Sequence, residues 1–244
     1  MAVNTIVIND TKPGNYLYQE AVKTLRANIQ FMGKNKKVIL VTSAFSNEGK
    51  TDISFHLAAE MGKTGKRVLL LDSDIRKSVM KTIFQIKEET VGLSQYLSGQ
   101  VEEAEHIVYR TNYENMNMIL AGPNAPNPSE MLSDESFENL LKRLRQVYDY
   151  VIVDTAPLGT VVDAAIVAQH CDGAIMVIES GAVSYRVSQK VKKQLEQSGC
   201  RLLGAVLNKA DLKNKFYGKY GRYGRYGKYG KYEKYEYYGN TDKG

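Results

Sequence analysis

The sequence has no tryptophan, two cysteines, five prolines and three histidines in 244 residues. Cys171 and Cys200 form no C-x-x-C pair, which argues against a metal or cluster site built on thiolates; they read as reduced, partly buried thiols. His56, His106 and His170 are scattered without ligand spacing and read as packed or solvated side chains. No apolar run approaches the ~18 residues that span a bilayer. The start, "MAVNTIVINDTKPG", lacks a basic segment followed by a long apolar stretch, so no signal peptide is expected and the chain is expected in the cytoplasm.

Charge of one sign is missing from most of the chain. Residues 1–212 hold 24 Lys+Arg against 24 Asp+Glu, while residues 213–244 hold nine against three, so the whole net charge of +6 lies in the tail. A basic tail on a neutral body implies an anionic partner or surface rather than a basic fold. That tail carries nine of the seventeen tyrosines, Tyr217, Tyr220, Tyr223, Tyr226, Tyr229, Tyr232, Tyr235, Tyr237 and Tyr238, spaced by glycine and Lys or Arg. It has no aliphatic residue to bury, and its triplet repeat has no proline, which excludes collagen. Two units are expected: a folded domain over 1–215 and a disordered Tyr/Gly/Lys-rich tail over 216–244.

The body alternates short apolar runs with amphipathic segments. "KVILVT" (37–42), "RVLLLD" (67–72), "NMILA" (117–121), "YVIVDT" (150–155), "AIMVIE" (174–179) and "LLGAVLN" (202–208) do not alternate in polarity, as expected of strands covered on both faces. Helical patterns fall at 15–31, 50–65, 133–148, 161–170 and 184–199, with Gly65 and Gly199 placed as helix stops. The alternation predicts an α/β fold: a mostly parallel sheet with helices on both faces.

"KVILVT" runs into "SAFSNEGKT", where Ala44 to Thr51 fit the phosphate-loop form A-x-x-x-x-G-K-T. Gly49 lets the backbone wrap a phosphate, loop N–H groups and a helix N-terminus face the anion, Lys50 reaches the β- and γ-phosphates, and the Thr51 hydroxyl is offered to Mg²⁺. The expected nucleotide contacts are Ala44, Phe45, Ser46, Asn47, Glu48, Gly49, Lys50, Thr51 and Asp52, with Asn208 of "LNKAD" near the base. "LLLDSDIR" puts Asp72 and Asp74 at a strand's carboxyl end, followed by Arg76, and "VIVDTAP" does the same with Asp154. Ligands of open α/β sheets bind outside those strand ends, so all three aspartates are expected to converge on bound phosphates. The pattern identifies a P-loop NTPase-type fold.

These motifs, with "GPNAPNPSEML" (122–132) and the tyrosine cluster, resemble the bacterial tyrosine kinases of capsule and exopolysaccharide systems, in their stand-alone cytoplasmic Gram-positive form. The resemblance covers nearly the whole chain. It implies Mg-ATP bound by the phosphate loop and "VIVDTAP", with "LLLDSDIR" as the extra aspartate motif of these kinases. It implies autophosphorylation of the C-terminal tyrosines between neighbours in a ring-shaped homo-oligomer. It also implies a transmembrane activator that recruits the chain to the inner membrane face, a cognate tyrosine phosphatase, and control of polysaccharide assembly and export. The family's E-x-x-R-x-x-R interface motif departs here to Glu20, Lys23 and Arg26, where lysine lacks arginine's planar fork. Asp52 stands where a second Ser or Thr is usual.

Phosphoryl transfer to tyrosine needs a carboxylate to accept the phenolic proton. Asp72 and Asp74 are both candidates; Asp74 is favoured as base, with Asp72, Thr51 and Asp154 turned to the metal. Arg76 is expected either to offset phosphoryl charge or to pair with Asp74. Three rival readings have signals of their own. A partition or division-site ATPase would carry a second lysine at the position of Phe45. A GTPase would use Asn208, Lys209 and Asp211 to read guanine. The basic, aromatic tail also suits single-stranded nucleic acid or anionic lipid, as secondary roles.

Overall fold

The computed structural model describes residues 4–11, 14–33 and 35–210. The expected domain boundary, the tail, all nine tail tyrosines and Asp211 lie outside them.

Seven strands form one sheet in the order β3-β4-β2-β5-β1-β6-β7. They are β1 (Val38–Ser43), β2 (Val68–Asp72), β3 (Tyr109–Arg110), β4 (Met116–Ile119), β5 (Tyr150–Asp154), β6 (Gly173–Glu179) and β7 (Leu202–Asn208). All neighbours pair in parallel except β3, which is antiparallel to β4. The carboxyl ends of β1, β2, β4, β5, β6 and β7 therefore lie along one edge, where α/β sheets place their ligands.

The helices are α1 (Tyr16–Phe31), α2 (Lys50–Gly62), α3 (Met80–Ile83), α4 (Leu93–Leu97), α5 (Pro128–Ser133), α6 (Glu135–Val147), α7 (Asp163–Ala168) and α8 (Tyr185–Gln197), with a 3₁₀ turn at Ala104–Ile107. Period-2 alternation divides each strand between two cores. Ile39, Val41, Leu70 and Ile152 pack with Ile29 of α1 and Ile53, Phe55 and Leu57 of α2. Val38, Leu40, Leu69 and Val153 pack on the other face with Phe137 and Leu140 of α6, Val167 of α7 and Leu195 of α8. Burial on both faces is why β1, β2 and β5 carry unbroken aliphatic runs.

Two differences from the sequence reading have physical causes. β7 was expected to be covered on both faces, but it is the edge strand, and Gly204, Ala205 and Leu207 are exposed. β3, α3, α4 and the 3₁₀ turn are too short to show a period.

Candidate active site

The phosphate loop leaves β1 at Ala44 and enters α2 at Lys50. Asn47 (φ 66°) and Gly49 (φ 88°) both take left-handed backbone, and a Cβ on Gly49 would stand 2.2 Å from Nδ2 of Asn208. Glu48, only 3 % exposed, braces the loop from inside. Its carboxylate accepts the Phe45 N–H at 2.5 Å and the Glu179 N–H at 3.0 Å. Asn208 Nδ2 donates to the Glu48 carbonyl at 2.9 Å. Lys209 Nζ donates to the Asn47 carbonyl at 2.7 Å and pairs with Glu179 at 2.9 Å. The ends of β6 and β7 thus hold the loop's shape. Glu48 and Asn208, expected at the nucleotide, spend these side-chain bonds on the loop itself, and Phe45, Ser46 and Asn47 are exposed.

Lys50 Nζ lies 3.4 Å from Oγ1 of Thr51, at the start of α2. Register sets Asp72 directly opposite Asp154, so two carboxylates stand side by side at adjacent strand ends. The Ser73 N–H and Oγ both donate to the Asp154 carbonyl, at 2.9 and 2.8 Å, which locks β2 to β5 there. Ser54, one helical turn beyond Thr51, donates to Asp154 Oδ1 at 3.1 Å; it was missed because a lone serine in a helix carries no motif. Burial raises the pKa of Asp154, opposed by the Lys50 charge and by bonds from Thr51 and Ser54. Asp72, 1 % exposed, is pushed up to about 8, first by burial and then by the charge of Asp154. The Ser78 hydroxyl and the Asp74 N–H, the latter at 3.2 Å, donate to it. Asp74 is less enclosed, at 8 % exposed, and accepts the Lys77 N–H at 3.0 Å.

Arg76 does not pair with Asp74, one of the two roles expected of it. Its Nε and Nη2 make a two-pronged contact with Asp163 at 2.9 and 3.0 Å, and Nη2 reaches Ser129 Oγ at 3.3 Å. Ser129 also donates to Asp163 at 2.7 Å. Burial alone would raise the pKa of Asp163, but the bonds from Arg76 and Ser129 outweigh it and hold the carboxyl below its usual range. The contact joins the segment after β2 to α5 and α7. Neither Asp163 nor Ser129 was visible in the sequence as a site residue, because each reads as an ordinary helix-start residue.

Asp52, also expected at the nucleotide, turns to α1 instead. Its carboxylate accepts the Tyr18 hydroxyl at 2.7 Å and lies 3.5 Å from Nδ1 of His56, whose Nε2 stands 3.0 Å from Asp10. On α1, Lys23 pairs with Glu20 at 2.8 Å on an exposed face, whereas Arg26 turns inward to Glu60 at 3.6 Å.

The donor set suits Mg²⁺ and a nucleotide triphosphate. Two buried carboxylates and a buried threonine hydroxyl meet with Lys50 as the nearby cation. Among the described residues no three His, Cys, Asp or Glu side chains form a self-sufficient metal cage. Mg²⁺ needs none, since it takes one or two carboxylates and completes its shell with phosphate and water.

Fold and loop together define a phosphate-loop nucleotide-binding α/β protein. A family model described as an AAA domain matches residues 36–198. Tyrosine-protein kinase CpsD of Streptococcus pneumoniae is 44 % identical over 200 residues, which span 82 % of this chain and 88 % of that one. The kinase domain of Escherichia coli tyrosine kinase ETK superposes with a TM-score of 0.73 at 31 % identity, covering 79 % of this chain and 77 % of that one. The chain belongs to the bacterial tyrosine-protein kinases. The septum site-determining protein MinD of Pyrococcus horikoshii, solved with Mg-ADP, shares the fold alone, at 22 % identity and a TM-score of 0.61 over 70 % of this chain and 69 % of that one. The division-site ATPase reading is thus left with a distant structural relation.

Proposed function

We propose that the chain is an ATP-dependent protein-tyrosine autokinase that phosphorylates the tyrosine cluster, Tyr217 to Tyr238, of a neighbouring copy. The observation that carries this reading is the set of three aspartates at the sheet's carboxyl edge: Asp72 facing Asp154, with the less enclosed Asp74 two residues on. An attacking phenol must lose its proton, and a carboxylate at this edge is the group to take it.

Thr51, Asp154 and Asp72 would hold Mg²⁺, which when bound neutralises phosphate charge and orients the oxygens of the transferring group. Lys50 binds the β- and γ-phosphates. Asp74 takes the phenolic proton as the new O–P bond forms and the bond to ADP breaks. Arg76, fixed by Asp163 and Ser129, holds a cation beside the acceptor. Ala44, Phe45, Ser46, Asn47 and Gly49 contribute loop amides, and Asn208 keeps that loop open to the nucleotide.

Family membership supports the wider setting. Copies assemble into a ring through Glu20, Lys23 and Arg26, although the inward turn of Arg26 leaves chiefly the Glu20–Lys23 face for a neighbour. A transmembrane activator recruits the ring to the membrane, and a cognate phosphatase resets the tail. The cycle governs capsular or extracellular polysaccharide synthesis and export. Among the described residues no helix is long and apolar enough to cross a membrane.

Mixing tests the trans reaction. A Lys50→Met copy with an intact tail is incubated with Mg-ATP and an active copy whose nine tail tyrosines are phenylalanine. Label on the Lys50→Met tail supports transfer between copies. An unlabelled tail despite ATP turnover would sink the proposal.

A further inference from the structure

Helix α2 opens with an anion of its own. Asp52 follows Thr51 directly and stands in the first turn of α2, beside the N–H groups that the phosphate loop offers to a nucleotide. No side chain caps that turn, since Gly49 holds the cap position. A carboxylate in a first turn is drawn to the same N–H groups, and the same positive end of the helix dipole, as a phosphate. A free Asp52 would therefore compete with the nucleotide from within the loop's own helix, and its charge would repel the phosphates as well.

The structure turns that carboxylate away. Asp52 Oδ2 accepts the Tyr18 hydroxyl at 2.7 Å, across the joint between α1 and α2, and Oδ1 lies 3.5 Å from Nδ1 of His56. Both partners are themselves fixed. The Tyr18 N–H donates to Oδ1 of Asn15, the N-cap of α1, at 3.0 Å. The Tyr18 ring lies against Gly14 (φ 76°), where an added Cβ would stand 2.2 Å from Cδ1 of the ring. It meets the His56 ring edge-on, with centroids 5.2 Å apart. His56 Nε2 is 3.0 Å from Asp10, and its Nδ1 is 2.9 Å from the Asp52 carbonyl. Burial, and then the bond to Asp52, hold the Tyr18 hydroxyl well above its ordinary range, so it stays a donor. The two helices also have joints that do not involve Asp52: Ile29 packs with Ile53, Phe55 and Leu57, and Arg26 pairs with Glu60.

We propose that Tyr18 is a positioning residue for nucleotide binding: its hydroxyl keeps the Asp52 carboxylate against α1 and leaves the first turn of α2 free for phosphate. The assignment rests on the reading of the phosphate loop as the Mg-ATP site.

The test is a double-mutant comparison on the full chain, with Mg-ATP binding followed by titration calorimetry and KM for ATP by label transfer. Tyr18→Phe keeps the ring and its packing and removes the hydroxyl alone. It is expected to weaken Mg-ATP binding roughly fivefold, the scale of one charge at a helix N-terminus, and to raise KM for ATP while kcat holds. Adding Asp52→Asn, which removes the charge and keeps the shape, should return the affinity to that of the parent. Gly14→Ala, which pushes the ring off its seat, should weaken binding likewise and be rescued by Asp52→Asn in the same way. Parental affinity in Tyr18→Phe would overturn the proposal. So would an equal loss in the double variant, which would make the hydroxyl a plain staple between helices. No binding by the parent chain would overturn the nucleotide reading itself, and the proposal with it.

Discussion

Asp72 is held away from its ordinary titration by burial and by the facing Asp154. Its pKa of about 8, against an ordinary 3.8, means that the folded chain without metal or nucleotide binds a proton there that the unfolded chain has released. Between pH ~4 and ~8 the unfolded state holds fewer protons, so stability falls as pH rises through that window. Asp72→Asn should flatten this slope and raise the melting temperature of the ligand-free protein at pH 8, while abolishing phosphoryl transfer. Thermal melts from pH 5 to 8 would check it, and a slope the same as the parent's would contradict the assignment of that effect to Asp72. Asp163 offers a second test. Asp163→Asn keeps the volume but frees Arg76 from its two-pronged hold. Phosphoryl transfer should drop roughly tenfold or more through misplacement of the cation, with ADP affinity unchanged. An equal loss of ADP affinity would assign Asp163 to loop integrity instead. Sequence reasoning reached Lys50, Thr51, Asp72, Asp74 and Asp154 because spacing after a strand is local. It missed Asp163 because Arg76 meets that carboxylate across 87 positions. The turn of Asp52 toward α1 was hidden too, because only the docking of α1 brings Tyr18 to it.

At the scale of elements, the strands were legible wherever both faces are covered, since burial there writes an unbroken aliphatic run. That signal is silent on order in the sheet, so β7 was indistinguishable from an inner strand. Joints between elements were equally hidden. Asp172, before β6, accepts the backbone N–H groups of Lys37 and Val38 at 2.8 Å each and takes Arg145 Nη1 on both oxygens, at 2.7 and 3.0 Å. One carboxylate therefore ties the start of β1 to the end of α6. Asp172→Ala should destabilise the fold by about 2–4 kcal/mol, since it strands two backbone donors and a guanidinium. Denaturant melts would measure this. A loss below about 0.5 kcal/mol would show that water replaces the carboxylate at no cost.

For the whole molecule, the division of charge is the main physical fact: a neutral body and a tail of +6. Each tyrosine phosphate adds roughly −1.5 to −2 charges, so about three or four would cancel the tail's excess. Phosphorylation should then release the tail from an anionic nucleotide site and loosen the assembly. Light scattering on phosphatase-treated and fully phosphorylated protein should show the larger particle in the first, and equal sizes would refute this step. The central claim is tested most directly by phosphosite mass spectrometry of the intact chain after incubation with Mg-ATP, with and without an activator segment, beside Lys50→Met. Several phosphates between Tyr217 and Tyr238, absent from Lys50→Met, are predicted. A tail that stays unmodified in both conditions while ATP is hydrolysed would contradict the account and make the tyrosines a binding surface on an ATPase.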